Sequence, residues 1–227
     1  MNQERLNDAA IALHGALSEH GVQFGIFGGY AVITLASIRI TKDIDCLASV
    51  TKDQAIRLLD GKHGFAVIPQ SRQDYVAFLW SNQPDRRRAV LVEIFCEQFP
   101  GAQYSMSALS LKRQVIHGAV LGQGTSNFLS AFQLFKGKLR AAATRNKFHD
   151  AADLRALESK YREEIKSQSQ GLSLSYVGLA MKRYPELVYL FERLGVDVQR
   201  AKELAEDIDL AKLPPPEPGD VQRGLLA

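Results

Sequence analysis

Two aspartates, Asp43 and Asp45, stand two residues apart in the run KDIDCL. Successive side chains of an extended strand take opposite faces, so both carboxylates project together while Ile44 and Cys46 turn to the core. Like charges this close repel unless something positive lies between them, and an oxygen-seeking divalent cation such as Mg2+ answers that demand. Upstream, Gly28-Gly29 closes a short apolar strand, Val22 to Phe27, and opens a compact apolar helix. Glycine lets a ligand approach the backbone closely, and a helix N-terminus offers N–H groups to an anion. A phosphate cradle and a metal-holding acid pair thus fall within one strand–helix–strand unit, with Arg39 to Lys42 as a polar turn.

The flanking elements must hold that unit in place. Glu4 to His20 has apolar residues at helical spacing and ends at Gly21. Thr51 can cap a helix that runs to Gly61. Strands are predicted at Phe65 to Ile68, closed by Pro69, at Tyr75 to Trp80 and at Ala89 to Phe95, with Ser81 to Arg88 as a turn. The last of these, AVLVEIF, is interrupted by Glu93, and a carboxylate in an apolar run is costly to bury unless paired or coordinated. Glu93 can also be read as an edge residue that faces water or pairs with Arg86 to Arg88. Arg113 to Leu121 alternates like a further strand. Beyond Gly124 the pattern turns helical: Ser126 to Thr144, then about Phe148 to Lys160, then two or three helices between Ser173 and Asp209. The expected organisation is residues 1–124, a helical domain over 125–210, and a Pro-rich extended tail, 211–227.

The 227 residues, 46% hydrophobic and 23% charged, suit one domain with an appendage or two small ones. A net charge of +3 and a pI near 8.8 permit a nucleotide or nucleic-acid partner without requiring one. No apolar run is long enough to span a bilayer and the first residues lack an apolar signal core, so the expected location is the cytoplasm. Cys46 and Cys96 are expected to be buried thiols on the face opposite the acids, and no zinc-ligand spacing is present.

Phe27, Gly28, Gly29, the spacer Tyr30 to Lys42, and then Asp43, Ile44, Asp45 and Cys46 resemble the motif of the DNA polymerase beta-like nucleotidyltransferase superfamily. The spacer is long for that pattern, and Cys46 is an unusual final apolar residue. The helices after Gly124 are similar to the second part of bacterial nucleotidyltransferase toxins, including the abortive-infection type, and of related standalone enzymes. There a Lys-rich helix precedes an Arg/Lys-x-x-Asp-x-x-Asp-Leu helix, matched here by Lys147, Asp150, Asp153 and Leu154. Together the resemblances cover roughly Val22 to Leu157.

The resemblance implies an α/β (α+β) fold: a small mixed, mostly antiparallel nucleotidyltransferase sheet flanked by helices, with a C-terminal helical domain. It also implies Mg2+-dependent transfer of a nucleoside monophosphate from a triphosphate such as ATP to a hydroxyl on a small molecule, protein or RNA. Asp43, Asp45 and, as the family's later-strand acid, Glu93 would hold two Mg2+ ions about 3.5–4 Å apart, with Mn2+ as a substitute. Many members carry Asp where Glu93 stands; Asp74 and Glu97 are weaker substitutes for that position. Gly28, Gly29 and Tyr30 would hold the triphosphate through backbone N–H groups. Arg39, Lys42 and Lys138 would add cationic contacts. The bland alternatives are a salt bridge from Arg39 to Asp43 or Asp45 and a solvated outer face for the lysine-rich helix. Two other functions stay open: a catalytically degenerate module that binds a nucleotide or a protein, and a toxin that modifies tRNA and is masked by an antitoxin. A homo-oligomer is a further possible partnership; a membrane is not expected.

Overall fold

The computed structural model describes residues 2–36, 39–107 and 109–227; Ser37 and Ile38 of the motif spacer, with Met1 and Ala108, lie outside them. The chain divides into two units, one of residues 1–130 with 218–227 and one of residues 131–217.

In the first unit the order is α1 (Gln3–Ser18), β1 (Phe24–Phe27), α2 (Gly28–Leu35), β2 (Asp43–Ala48) and α3 (Lys52–Leu59). There follow β3 (Phe65–Ile68), β4 (Tyr75–Trp80), β5 (Val90–Cys96), β6 (Leu111–His117) and β7 (Gln123–Leu129). The strands form one seven-stranded sheet in the order β3-β4-β5-β2-β1-β7-β6. Its pairings are antiparallel except β2 with β5 and β1 with β7, so the expected mixed, mostly antiparallel sheet is the one found. Local chemistry fixes the joints. Asn2 caps α1, Gly21 turns the chain at φ 63°, and Thr51 and Gln54 close a reciprocal capping box on α3.

Strand alternation sorts the sheet into two faces. Ile26, Ile44, Cys46, Val92, Ile94, Val76, Phe78 and Trp80 are buried, while Asp43, Asp45, Leu91, Glu93, Phe95 and Tyr75 are only partly covered. Both cysteines are free, buried thiols on the core side, as expected. Burial, with Asp45 and Cys96 charge beside it, pushes the Cys46 thiol far up, and burial with Asp74 charge takes Cys96 up to about 12. Neither is a thiolate at neutral pH.

Two expectations fail here. The helix predicted from Ser126 is strand β7 up to Leu129, and α4 (Ala131–Thr144) begins only after it. Phe128 and Leu129 fit the helical spacing of Phe132 and Phe135, but the tertiary fold pairs Phe128 with Ile26 and Leu129 with Leu111. The sheet therefore runs past Gly124. The stretch 211–227 is also not an extended tail throughout. Its prolines lie in 214–218, after which Gly219, at φ 84°, opens helix α9 (Asp220–Leu226) within the first unit.

The second unit is helical: α4, then α5 (Phe148–Lys166), α6 (Leu174–Arg183), α7 (Val188–Arg193) and α8 (Val198–Ala205). Ser173 and Asp197 cap α6 and α8 through their side chains, and Pro185 opens a short 3-10 turn before α7. Among the described residues, no helix is long and apolar enough to cross a membrane.

Candidate active site

The acid strand β2 lies between β1 and β5. Its parallel register with β5 sets Asp45 directly opposite Glu93, and Asp43 opposite Leu91. Directly paired residues share a face, so Asp43, Asp45 and Glu93 all project from the open side of the sheet. β5 is an interior strand, and that excludes the edge-strand reading of Glu93. Arg86 does not reach for Glu93 either: its Nη1 donates to the carbonyls of Gly64 (3.1 Å) and Leu79 (3.2 Å).

The electrostatics agree with that placement. Burial first, and the Asp43 charge second, push the Glu93 carboxyl above the ordinary range, while Arg72 pulls the other way. Thr41 Oγ1 donates to Asp43 Oδ1 at 2.8 Å, a contact the sequence did not reveal. Among the described residues no three His, Cys, Asp or Glu side chains form a metal-binding cluster. The donor set is nevertheless that of a hard cation, with carboxylate oxygens on neighbouring same-face positions of two adjacent strands.

Gly28 and Gly29 sit against these acids. Gly28 has φ 69°, and a Cβ there would fall 1.9 Å from Asp45 Oδ2, so only glycine fits. Above Gly29 a Cβ would meet Arg39 Nη2 at 2.7 Å and Thr41 Oγ1 at 3.0 Å. Arg39 thus lies over the start of α2, beside the expected phosphate position, while Lys42 is exposed in the turn before Asp43. Phe27, the N-cap residue of α2, makes no side-chain cap hydrogen bond. The Tyr30 ring, by contrast, is fully buried, and its hydroxyl donates to Asn7 Oδ1 at 2.7 Å, so only its backbone serves the loop.

Lys138 was expected as a triphosphate contact. It is buried in the second unit, with Nζ 2.8 Å from Asp153 Oδ2 and 3.7 Å from Asp150 Oδ1. Arg145 makes a two-pronged pair with Asp150 at 2.8 and 2.9 Å. The aspartates at i and i+3 of α5 both face inward, and the lysine that answers them comes from α4. Its ammonium pairs with Asp153 within that cluster.

Asp74 and Glu97, the substitute acids, also have partners. Asp74 is fully buried and holds Arg72 through Nε (2.8 Å) and Nη2 (2.5 Å); Glu97 accepts from the Met106 N–H at 2.7 Å. Gly219 N–H donates to Asp74 Oδ2, and Gln222 Nε2 to the carbonyls of Asp74 and Cys96, each at 2.9 Å. The end of the chain is thereby fastened beside β4 and β5.

No family model matches the chain, and no curated protein matches it. Among solved structures it is similar to an antigenic nucleotidyltransferase-like protein from Paracoccidioides brasiliensis. The identity is 16%, over 83% of this chain and 92% of that one, with a TM-score of 0.54. It also aligns with the nucleotidyltransferase toxin MenT4 of Mycobacterium tuberculosis H37Rv, at 16% identity over 99% and 88% of the two chains and TM-score 0.46. ANT(2'')-Ia, in complex with adenylyl-2''-tobramycin, aligns at 13% identity over 71% and 92%, with TM-score 0.45. The sheet order, the acid face and the first of these likenesses give one conclusion: the chain is built on the nucleotidyltransferase fold.

Proposed function

We propose that the protein is a metal-dependent nucleotidyltransferase, moving a nucleoside monophosphate from a nucleoside triphosphate to a hydroxyl. The observation that carries this reading is the juxtaposition of Asp43, Asp45 and Glu93 on one open sheet face at the mouth of Gly28-Gly29. The backbone amides of Gly28, Gly29 and Tyr30 receive the triphosphate at the start of α2, and Arg39 and Lys42 add positive charge there. Glu93, on β5 at the side of the acids away from the Gly28-Gly29 turn, takes the proton of the attacking hydroxyl. The hydroxyl oxygen bonds to the α-phosphorus, the bond from that phosphorus to the bridging oxygen breaks, and pyrophosphate leaves with the electron pair. Asp43, Asp45 and Glu93 would hold Mg2+, which when bound would neutralise phosphate charge and lower the pKa of the hydroxyl. Thr41 keeps Asp43 aimed at the shared face.

The test incubates the protein with each labelled triphosphate, Mg2+ and candidate small-molecule, protein and RNA acceptors. Label transfer that stops with EDTA is the expected result. Transfer that survives EDTA removes the metal from the scheme, and no transfer to any acceptor favours a binding module.

A further inference from the structure

The open face continues beyond the acids. On β5, Phe95 follows Glu93 on the same side, and Tyr75 of β4 lies directly opposite Phe95. The Tyr75 and Phe95 rings stack at 5.6 Å with 22° between their planes, and Phe27 meets Phe95 edge-on at 5.5 Å. Tyr75 and Phe95 remain partly exposed, and Ala77, opposite Glu93, keeps the ground beside the carboxylate low. The Arg72 guanidinium closes the ledge, 4.9 Å above the Tyr75 ring. Arg72 is held rigidly, because Nε and Nη2 are both given to buried Asp74, which the Gly219 N–H fixes in turn. Among the described residues Nη1 has no hydrogen-bond partner, and it is the nitrogen offered to a ligand.

We propose that this ledge of Tyr75, Phe95 and Arg72 is the acceptor subsite, and that the acceptor carries a flat ring and an oxygen anion, phosphate or carboxylate. The proposal rests on the nucleotidyltransferase reading. In phosphoryl-type transfer the attacking and leaving oxygens lie roughly in line across the phosphorus. The phosphate cradle is on the β1 side of the acids, so the attacking hydroxyl comes from the β5–β4 side, where the ledge is. β4 is two strands from β2, about 10 Å, which a single ring-bearing unit can bridge. Stacked aromatic side chains favour a planar ring over a flexible chain. Guanidinium nitrogens only donate, so the group meeting Nη1 is an oxygen acceptor and not an ammonium.

The experiment uses phenyl phosphate as the ring-plus-anion probe, with inorganic phosphate and benzylamine as controls. Binding is followed by NMR with Mg2+ and a non-hydrolysable triphosphate present. Phenyl phosphate is expected to bind better than either control and to weaken about tenfold in Arg72→Gln and in Tyr75→Leu. Triphosphate affinity stays unchanged in both variants. Should Arg72→Gln fail to fold with Asp74 left unpaired, Tyr75→Leu, which keeps that pair, still decides the matter. No binding of phenyl phosphate to the wild type, equal binding to the variants, or benzylamine binding as well, overturns the subsite. Loss of triphosphate binding alone, with the ledge still selective, would overturn the cradle and not the ledge.

Discussion

The protein contains two clusters of carboxylates that look alike in sequence and differ in surroundings. On the sheet, Asp43, Asp45 and Glu93 crowd one another on a partly open face, and Glu93 is pushed toward protonation. In the helical unit, Asp150 and Asp153 are fully buried but answered by Lys138 and Arg145. Burial alone would raise the Asp150 carboxyl, yet the Arg145 hydrogen bonds, with Lys138 charge beside them, outweigh it and hold it below its usual range. In the helical cluster cations outweigh burial; on the sheet, burial and the Asp43 charge outweigh Arg72 at Glu93, which is the electrostatic pattern of a site rather than of a structural pair.

The sharpest way to break this contrast is to neutralise the sheet acids. Asp43→Asn with Asp45→Asn should lower label transfer about a thousandfold or more. The melting temperature should hold or rise, since two repelling charges are gone. A large fall in melting temperature would show that these acids serve the fold after all.

Lys138→Met makes the opposite test. It strands Asp150 and Asp153 without their lysine, and urea unfolding should report a loss of about 3–5 kcal/mol. A loss confined to catalysis, with stability untouched, would move Lys138 into the active machinery.

Glu93→Gln should slow transfer about a hundredfold, the scale of a lost general base, with triphosphate binding largely kept. Because the folded carboxyl lies above its unfolded value, the native state binds the proton more tightly, and Glu93 costs stability as the pH rises through that range. The variant should therefore be at least as stable as wild type at pH 7, and that advantage should vanish in acid. A destabilised variant at neutral pH would contradict the raised pKa.

The smallest effect is on the acid limb of stability. Asp74, Asp150 and Glu158 are each raised by burial, but their arginine partners prevail and leave them depressed. A depressed carboxyl contributes stability above its unfolded pKa, about 4, and loses it as the pH falls through the lower folded value. In Glu93→Gln, where that opposing carboxyl no longer titrates, unfolding free energy should stay level down to about pH 4 and fall below it.

What the sequence disclosed follows the reach of each signal. β3 and β4 occupy the predicted spans because apolar runs of strand length end at Pro69 and Ser81. Gly28-Gly29 and the alternation around Asp43, Asp45 and Glu93 are local patterns, and the structure sets those residues together. β7 was hidden because Phe128 and Leu129 satisfy a helical period as well as a strand. Arg72, Tyr75 and Thr41 gave no signal, since their places depend on which strands become neighbours. Lys138 was legible as a lysine at the edge of an apolar stripe, but not as the partner of aspartates on the next helix. Helix α9 was masked by the prolines before it, and its anchors, Asp74 and Cys96, lie more than a hundred residues earlier.

That fastening of α9 has a consequence for how the molecule is made. On the ribosome the strands of the sheet emerge first, then the whole helical unit, and only afterwards the Gly219 amide that closes on Asp74. During synthesis Asp74 and Arg72 must hold each other with one anchor missing, and the ground beside β4 and β5 stays uncovered until a contact of very long sequence separation forms. The first unit to be translated is thus the last to be finished.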